Sequence, residues 1–187
     1  MAAVTARFLP ALFCLLLPVC VTACGGSAPV PQVAFPGQIG DFTLQNVSSH
    51  GQGAAYVMDE TDPVTATVRI GQQPGRDYLV PGLDLGGDDL DATVNKTGIG
   101  IKRFYPDAKL VLDEPLYLVH DDELKPGRHQ TWRYRDAFLG AMQEVDMDVV
   151  INCCSDRNEL VNVWFRHRSD RPIEADMLGF LNALPWN

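Results

Sequence analysis

The stretch Glu144-Val-Asp-Met-Asp-Val-Val-Ile-Asn-Cys-Cys-Ser-Asp-Arg-Asn-Glu-Leu-Val-Asn-Val-Trp-Phe-Arg-His-Arg168 reads as a β-hairpin. Two runs rich in β-branched and aromatic residues flank Asp156-Arg157-Asn158. That triplet suits a three-residue loop with Asn158 in the left-handed conformation. With this loop, opposed residue numbers sum to 314. Cys153 then faces Val161, Ile151 faces Val163 and Val149 faces Phe165, an apolar face. Asp148 meets Arg166 and Asp146 meets Arg168 on the other. Charge match and apolar match agree, and a slip of one residue destroys both.

Upstream, His129–Phe138 alternates, with Trp132 and Tyr134 on one face and Arg133 and Arg135 on the other. Leu110–Val119 reads as a strand interrupted by Pro115, and His120–Gly127 as a polar turn. Asp88–Tyr105 has helical spacing at Leu90, Val94, Ile101 and Phe104 or Tyr105. Gly98 and Gly100 weaken it by about 1 kcal/mol each relative to Ala, and Pro106 ends it. Residues 71–87, rich in Gly, Pro and Asp, read as a long loop and a candidate partner surface. Before them, Phe42–Val47, Ala54–Met58 and Val64–Ile70 form an antiparallel meander. Val64, Ala66, Val68 and Ile70 share one face of it.

Downstream, Asp170 is placed to cap a helix with Pro172 in its first turn. Ile173, Met177, Phe180, Leu181 and Leu184 form its apolar stripe, and Pro185 stops it. The fold expected is therefore α+β. An antiparallel sheet of about 6–7 strands is packed by a middle helix and a C-terminal amphipathic helix. In element order it is similar to PsbP-like and Mog1-like domains. No motif accompanies that outline, so it implies no function.

The N-terminus carries an address. Arg7 is the only charge before Asp41, and Phe8–Val21 is an apolar run of 14 residues. A positive start, a short apolar core and small residues at its end make a secretory signal. The run is too short for a spanning helix, which needs about 20 apolar residues, and Pro10 and Pro18 interrupt it. Val21-Thr22-Ala23-Cys24 resembles the lipobox of bacterial lipoprotein precursors. The resemblance implies cleavage after Ala23 and lipidation of the Cys24 thiol by diacylglycerol and fatty acid (palmitate). Residues 1–23 are then a signal peptide, 24–34 a lipidated tether and 35–187 a single globular domain. The protein would sit in the cell envelope (the periplasm of a Gram-negative cell), outside the cytoplasm. Gly25 stands where an Asp tends to retain family members in the inner membrane. The inner leaflet of the outer membrane is therefore favoured in a Gram-negative cell.

The chain has 187 residues and a net charge of −9, from 24 acidic and 15 basic side chains. Acidic residues are spread along it, which disfavours nucleic acid. Of the five cysteines, Cys14 and Cys20 leave with the signal and Cys24 takes lipid. No disulfide framework follows. Cys153 and Cys154 read as two thiols, one of them buried. A vicinal disulfide and a reactive Cys154 are the alternatives.

Catalytic signatures are absent from the pattern. There is no G-x-S-x-G, phosphate loop or dinucleotide fingerprint. His50, His120, His129 and His167 stand singly. His120 with Asp121, Asp122 and Glu123 is one cluster of metal-ligand types, and it reads as a solvated turn. Asp84, Asp88, Asp89 and Asp91 form another acidic run without calcium-loop spacing. No metal, cofactor or catalytic residue is assigned. The expected role is non-catalytic binding or scaffolding. Cys24 serves as the lipidation site and membrane contact. Trp132, Tyr134, Trp164 and Cys154 are the candidate surface for an envelope protein or a small molecule. The rival expectation is an envelope enzyme using Cys154 or the cluster near His120.

Overall fold

Eight strands form one antiparallel sheet in the order β1-β2-β3-β4-β8-β7-β6-β5. This computed structural model describes residues 33–49, 52–59, 61–72, 90–120, 122–152 and 160–185. All of them belong to one unit, Pro31–Asn187. The signal segment, Cys24, most of the tether, residues 73–89, His50, Asp121, and the 153–159 connection with Cys153, Cys154 and Asp156-Arg157-Asn158 lie outside the described residues. Among the described residues no helix is long and apolar enough to cross a membrane.

The strands are β1 (Gln38–Ile39), β2 (Phe42–Val47), β3 (Gly53–Met58), β4 (Val64–Gln72), β5 (Lys109–His120), β6 (Glu123–Phe138), β7 (Ala141–Asn152) and β8 (Leu160–Arg168). The helices are α1 (Leu90–Phe104) and α2 (Glu174–Ala183). The α+β class holds, with eight strands rather than 6–7. The extra strand is β1, a two-residue pairing with β2 too short to alternate visibly. The meander β2-β3-β4 forms as expected, and Val64, Ala66, Val68 and Ile70 are all buried.

The expected turn at His120–Gly127 is instead strand. His120 pairs directly with Glu123, and the chain reverses with Asp122 at φ +61°. Polar composition misled here because this hairpin end is exposed on its outer edge. Pro115 does not interrupt β5 either. That strand is at the sheet edge, where a missing N–H breaks no ladder.

Two clusters hold the layers together. On one face, α2 packs Phe180 edge-on against Phe42, Tyr56 and Phe165, at centroid distances of 4.9, 5.2 and 5.5 Å. Its five stripe residues, Ile173 to Leu184, are buried as their spacing predicts. The cap differs. Ile173 is the N-cap residue and gives no side-chain cap. Asp170 is instead drawn into an ion pair with Arg168.

On the other face, α1 lies over Trp132, Tyr134, Val145, Met147, Val149 and Ile151. Val94 and Ile101 point inward, whereas Phe104 is exposed and Tyr105 stacks on Tyr134 at 4.0 Å. A Cβ on Gly98 would stand 2.9 Å from Cζ2 of Trp132. The glycine that weakens the helix is what lets it approach the indole.

β7 and β8 pair one residue away from the expected register, with paired positions that sum to 313, as in Val149↔Trp164 and Asn152↔Val161. Asp146 and Asp148 therefore share a face with Phe165 and His167, beneath α2. Arg166 turns to the α1 face. There its Nη2 lies 2.8 Å from Asp136, and its guanidinium covers the Phe138 ring at 4.8 Å. Arg168 pairs with Asp170 and Asp62 instead of Asp146. The expected register assumed one wet face. From Val145 to Asn152, β7 is buried on both faces, so alternation does not fix which face is which.

Candidate ligand cleft

The register of 313 assembles a polar strip that the sequence reading missed. Its members come one from each of four neighbouring strands: Glu114 on β5, His129 on β6, Asp148 on β7 and His167 on β8. His129 Nδ1 faces Glu114 Oε1 at 3.4 Å, and its Nε2 faces Asp148 Oδ1 at 2.9 Å. The other carboxylate oxygen of Asp148 lies 2.8 Å from His167 Nε2. His167 Nδ1 faces the backbone carbonyl of Arg168 at 2.7 Å. Thr131 Oγ1 donates to Asp148 Oδ1 at 2.5 Å.

A carboxylate only accepts, so His129 and His167 each donate Nε2–H to Asp148, one to each oxygen. Burial raises the Asp148 pKa, but hydrogen bonds from His129, His167 and Thr131 outweigh it and hold the carboxyl well below the ordinary range. Burial works against a charged His129, yet Asp148 and then Glu114 raise its pKa. Such a network, closed on itself, is what makes burying these charges tolerable.

The strip floors a cleft of about 640 Å³. Leu112 and Leu116 of β5 line it from one side. Ile173, Met177 and Leu178 of α2, with residues 169–172, line it from the other. Asp146 also reaches it, and its carboxylate is forked by Arg133 at 2.8 and 2.9 Å. Arg171 is tied to the β3–β4 turn, where it donates to the Asp62 carbonyl.

The described members of the anticipated surface lie elsewhere. Trp132 and Tyr134 are 4% and 2% exposed, beneath α1 on the opposite face of the sheet. Trp132 Nε1 donates to Gln130 Oε1 at 3.1 Å, and Arg166 Nε donates to Tyr134 Oη at 3.2 Å. Burial pushes the Tyr134 hydroxyl pKa up, with Arg166 opposing. Trp164 packs half-buried against the same cluster. Cys154 and Cys24 lie outside the described residues. His120 sits at the hairpin end with Glu123, away from the strip. Among the described residues no three His, Cys, Asp or Glu side chains form a metal site.

No family model matches the chain, and no curated protein matches it. A solved structure of PA94, a Pseudomonas aeruginosa protein of unknown function, is similar with a TM-score of 0.50 and 10% identity. The match covers 78% of this chain and 96% of that one. LpqN of Mycobacterium tuberculosis, a protein involved in cell envelope biogenesis, gives a TM-score of 0.43 at 14% identity, over 87% of this chain and 85% of that one. The Pseudomonas likeness is one of fold.

Proposed function

We propose that this chain is a lipid-anchored protein of the cell envelope that holds a small molecule in the cleft beside α2 and does no chemistry on it. The observation that carries the reading is the cleft. Its volume of about 640 Å³ falls among small-molecule sites, which run from about 300 to 1,000 Å³. Apolar walls over a fixed polar floor suit binding with orientation.

The engagement of the two histidines supports a non-catalytic role. A general base needs a nitrogen with a free lone pair. Both nitrogens of His129 and of His167 already face acceptors. Thr131 donates its hydroxyl to Asp148.

The address rests on Val21-Thr22-Ala23-Cys24. Lipid on Cys24 tethers the domain to the membrane, with Gly25 favouring the outer membrane of a Gram-negative cell. Two or more acyl chains give lasting attachment where one does not.

The binding claim is tested with the full chain in nanodiscs, using hexanol as probe and empty nanodiscs as blank. Saturation transfer from protein to hexanol is expected for the parent. It is lost in Leu178→Trp, which fills the cleft from a partly exposed helix position. No transfer to the parent overturns the reading.

A further inference from the structure

The cleft carries a charge bias as well as a shape. Its basic groups already have partners. His129 faces Asp148 and Glu114, and His167 faces Asp148. Arg171 Nη1 lies 3.6 Å from carboxylate oxygens of both Asp59 and Asp62. Just behind the lining, Arg133 is held by Asp146 and Arg168 by Asp170. With both imidazoles counted as charged, and ion-pair partners included, carboxylates still outnumber cations by two.

The surplus is accessible. Glu114 leaves 52% of its side chain in solvent, and its one ion contact is the 3.4 Å approach to His129. Glu174, exposed in the first turn of α2, makes no ion pair among the described residues. Both line the cleft, together with Leu112, Leu116 and Leu178. The histidine, aspartate and threonine groups of the floor are satisfied by one another and by the long contact to Glu114, whose exposed carboxylate is left, with that of Glu174, to choose the ligand.

We propose that the occupant is a small organic cation, an ammonium or guanidinium group on a short apolar body. The charge is received by Glu114 and Glu174, and the body lies against Leu112, Leu116 and Leu178. An ammonium at Glu114 displaces nothing stronger than the long contact to His129. A carboxylate ligand meets two like charges and no unmatched cation. This inference rests on the ligand-binding reading of the cleft and names the chemistry that the cleft selects.

The test compares hexylammonium, hexanol and hexanoate on the full chain in phosphatidylcholine nanodiscs at pH 6.5, by saturation-transfer titration against empty nanodiscs. Hexylammonium is expected to bind about tenfold more tightly than hexanol, a difference of about 1.4 kcal/mol, and hexanoate more weakly than either. Glu114→Gln and Glu174→Gln each reduce the preference for hexylammonium over hexanol severalfold. Both positions are exposed, so circular dichroism should show intact folds.

Hexanol binding that equals hexylammonium, and is lost in Leu178→Trp, leaves the cleft reading standing and overturns the charge preference. An amine preference that survives Glu114→Gln/Glu174→Gln overturns it too. Failure of all three probes removes both.

Discussion

His129 on β6 and His167 on β8 are separated by a whole strand, and they meet on opposite oxygens of one carboxylate, that of Asp148 on β7. The side chain of Asp148 is only 8% exposed. Its charge is held by neighbours rather than by water.

Replacing Asp148 with Asn keeps the volume and removes the charge. His129 and His167 then lose the carboxylate to which both donate, in a buried site. Breaking a buried pair by removing one partner costs about 3–5 kcal/mol. Denaturant unfolding should show a loss of about 3 kcal/mol or more for Asp148→Asn, with an unchanged denaturant slope. A loss under about 1 kcal/mol is incompatible with the network.

The same network sets a pH window. Asp148 is depressed below its ordinary value of 3.8, so its stabilisation is present above that value and fades as pH falls through the folded pKa. His129 is raised above 6.5, so its share is present below that value and is lost as pH rises through the raised pKa. Asp148 and Glu114 face His129, and His129, Thr131 and His167 face Asp148. Thermal unfolding should therefore peak between about pH 4 and 6.5 and decline on both sides. A melting temperature that climbs steadily from pH 5 to 9 contradicts the assignment.

Two helical glycines should behave oppositely. At Gly179 a Cβ meets nothing within 4 Å, so Gly179→Ala should stabilise by about 0.5–1 kcal/mol. At Gly98 the new methyl stands 2.9 Å from Trp132 Cζ2. Overpacking costs about 1–3 kcal/mol, which outweighs the gain in propensity. Gly98→Ala should lower stability, and a Trp132→Phe background should relieve it. Equal gains at both positions, read by chemical denaturation, would show that α1 does not rest on the indole.

The legible parts of the fold were those with one wet face or one clear stripe. The meander from Phe42 to Ile70 alternates because its strands carry a polar side, and the α2 stripe from Ile173 to Leu184 is unbroken. The register of β7 against β8 was not legible. Between Val145 and Asn152 both faces are buried, so Asp146 and Asp148 invited pairing with Arg168 and Arg166, residues that the chain commits elsewhere.

The candidate site was hidden for the same reason. Glu114, His129, Asp148 and His167 show no motif spacing. They become neighbours only once four strands are ordered and the β7–β8 pairing is shifted by one residue. Trp132 and Tyr134 drew the eye as aromatics, and their face is the one that α1 covers.

An envelope binding protein held by lipid stands or falls on the Cys24 thiol. The direct measurement is intact mass together with membrane fractionation of the parent chain and of Cys24→Ser, expressed in a bacterium that processes lipoproteins. The parent is expected in the membrane fraction, shortened to begin at Cys24 and heavier than that polypeptide by its acyl groups. The variant should carry no lipid mass and keep its leader. Identical mass and identical fractionation for the two chains would contradict the account.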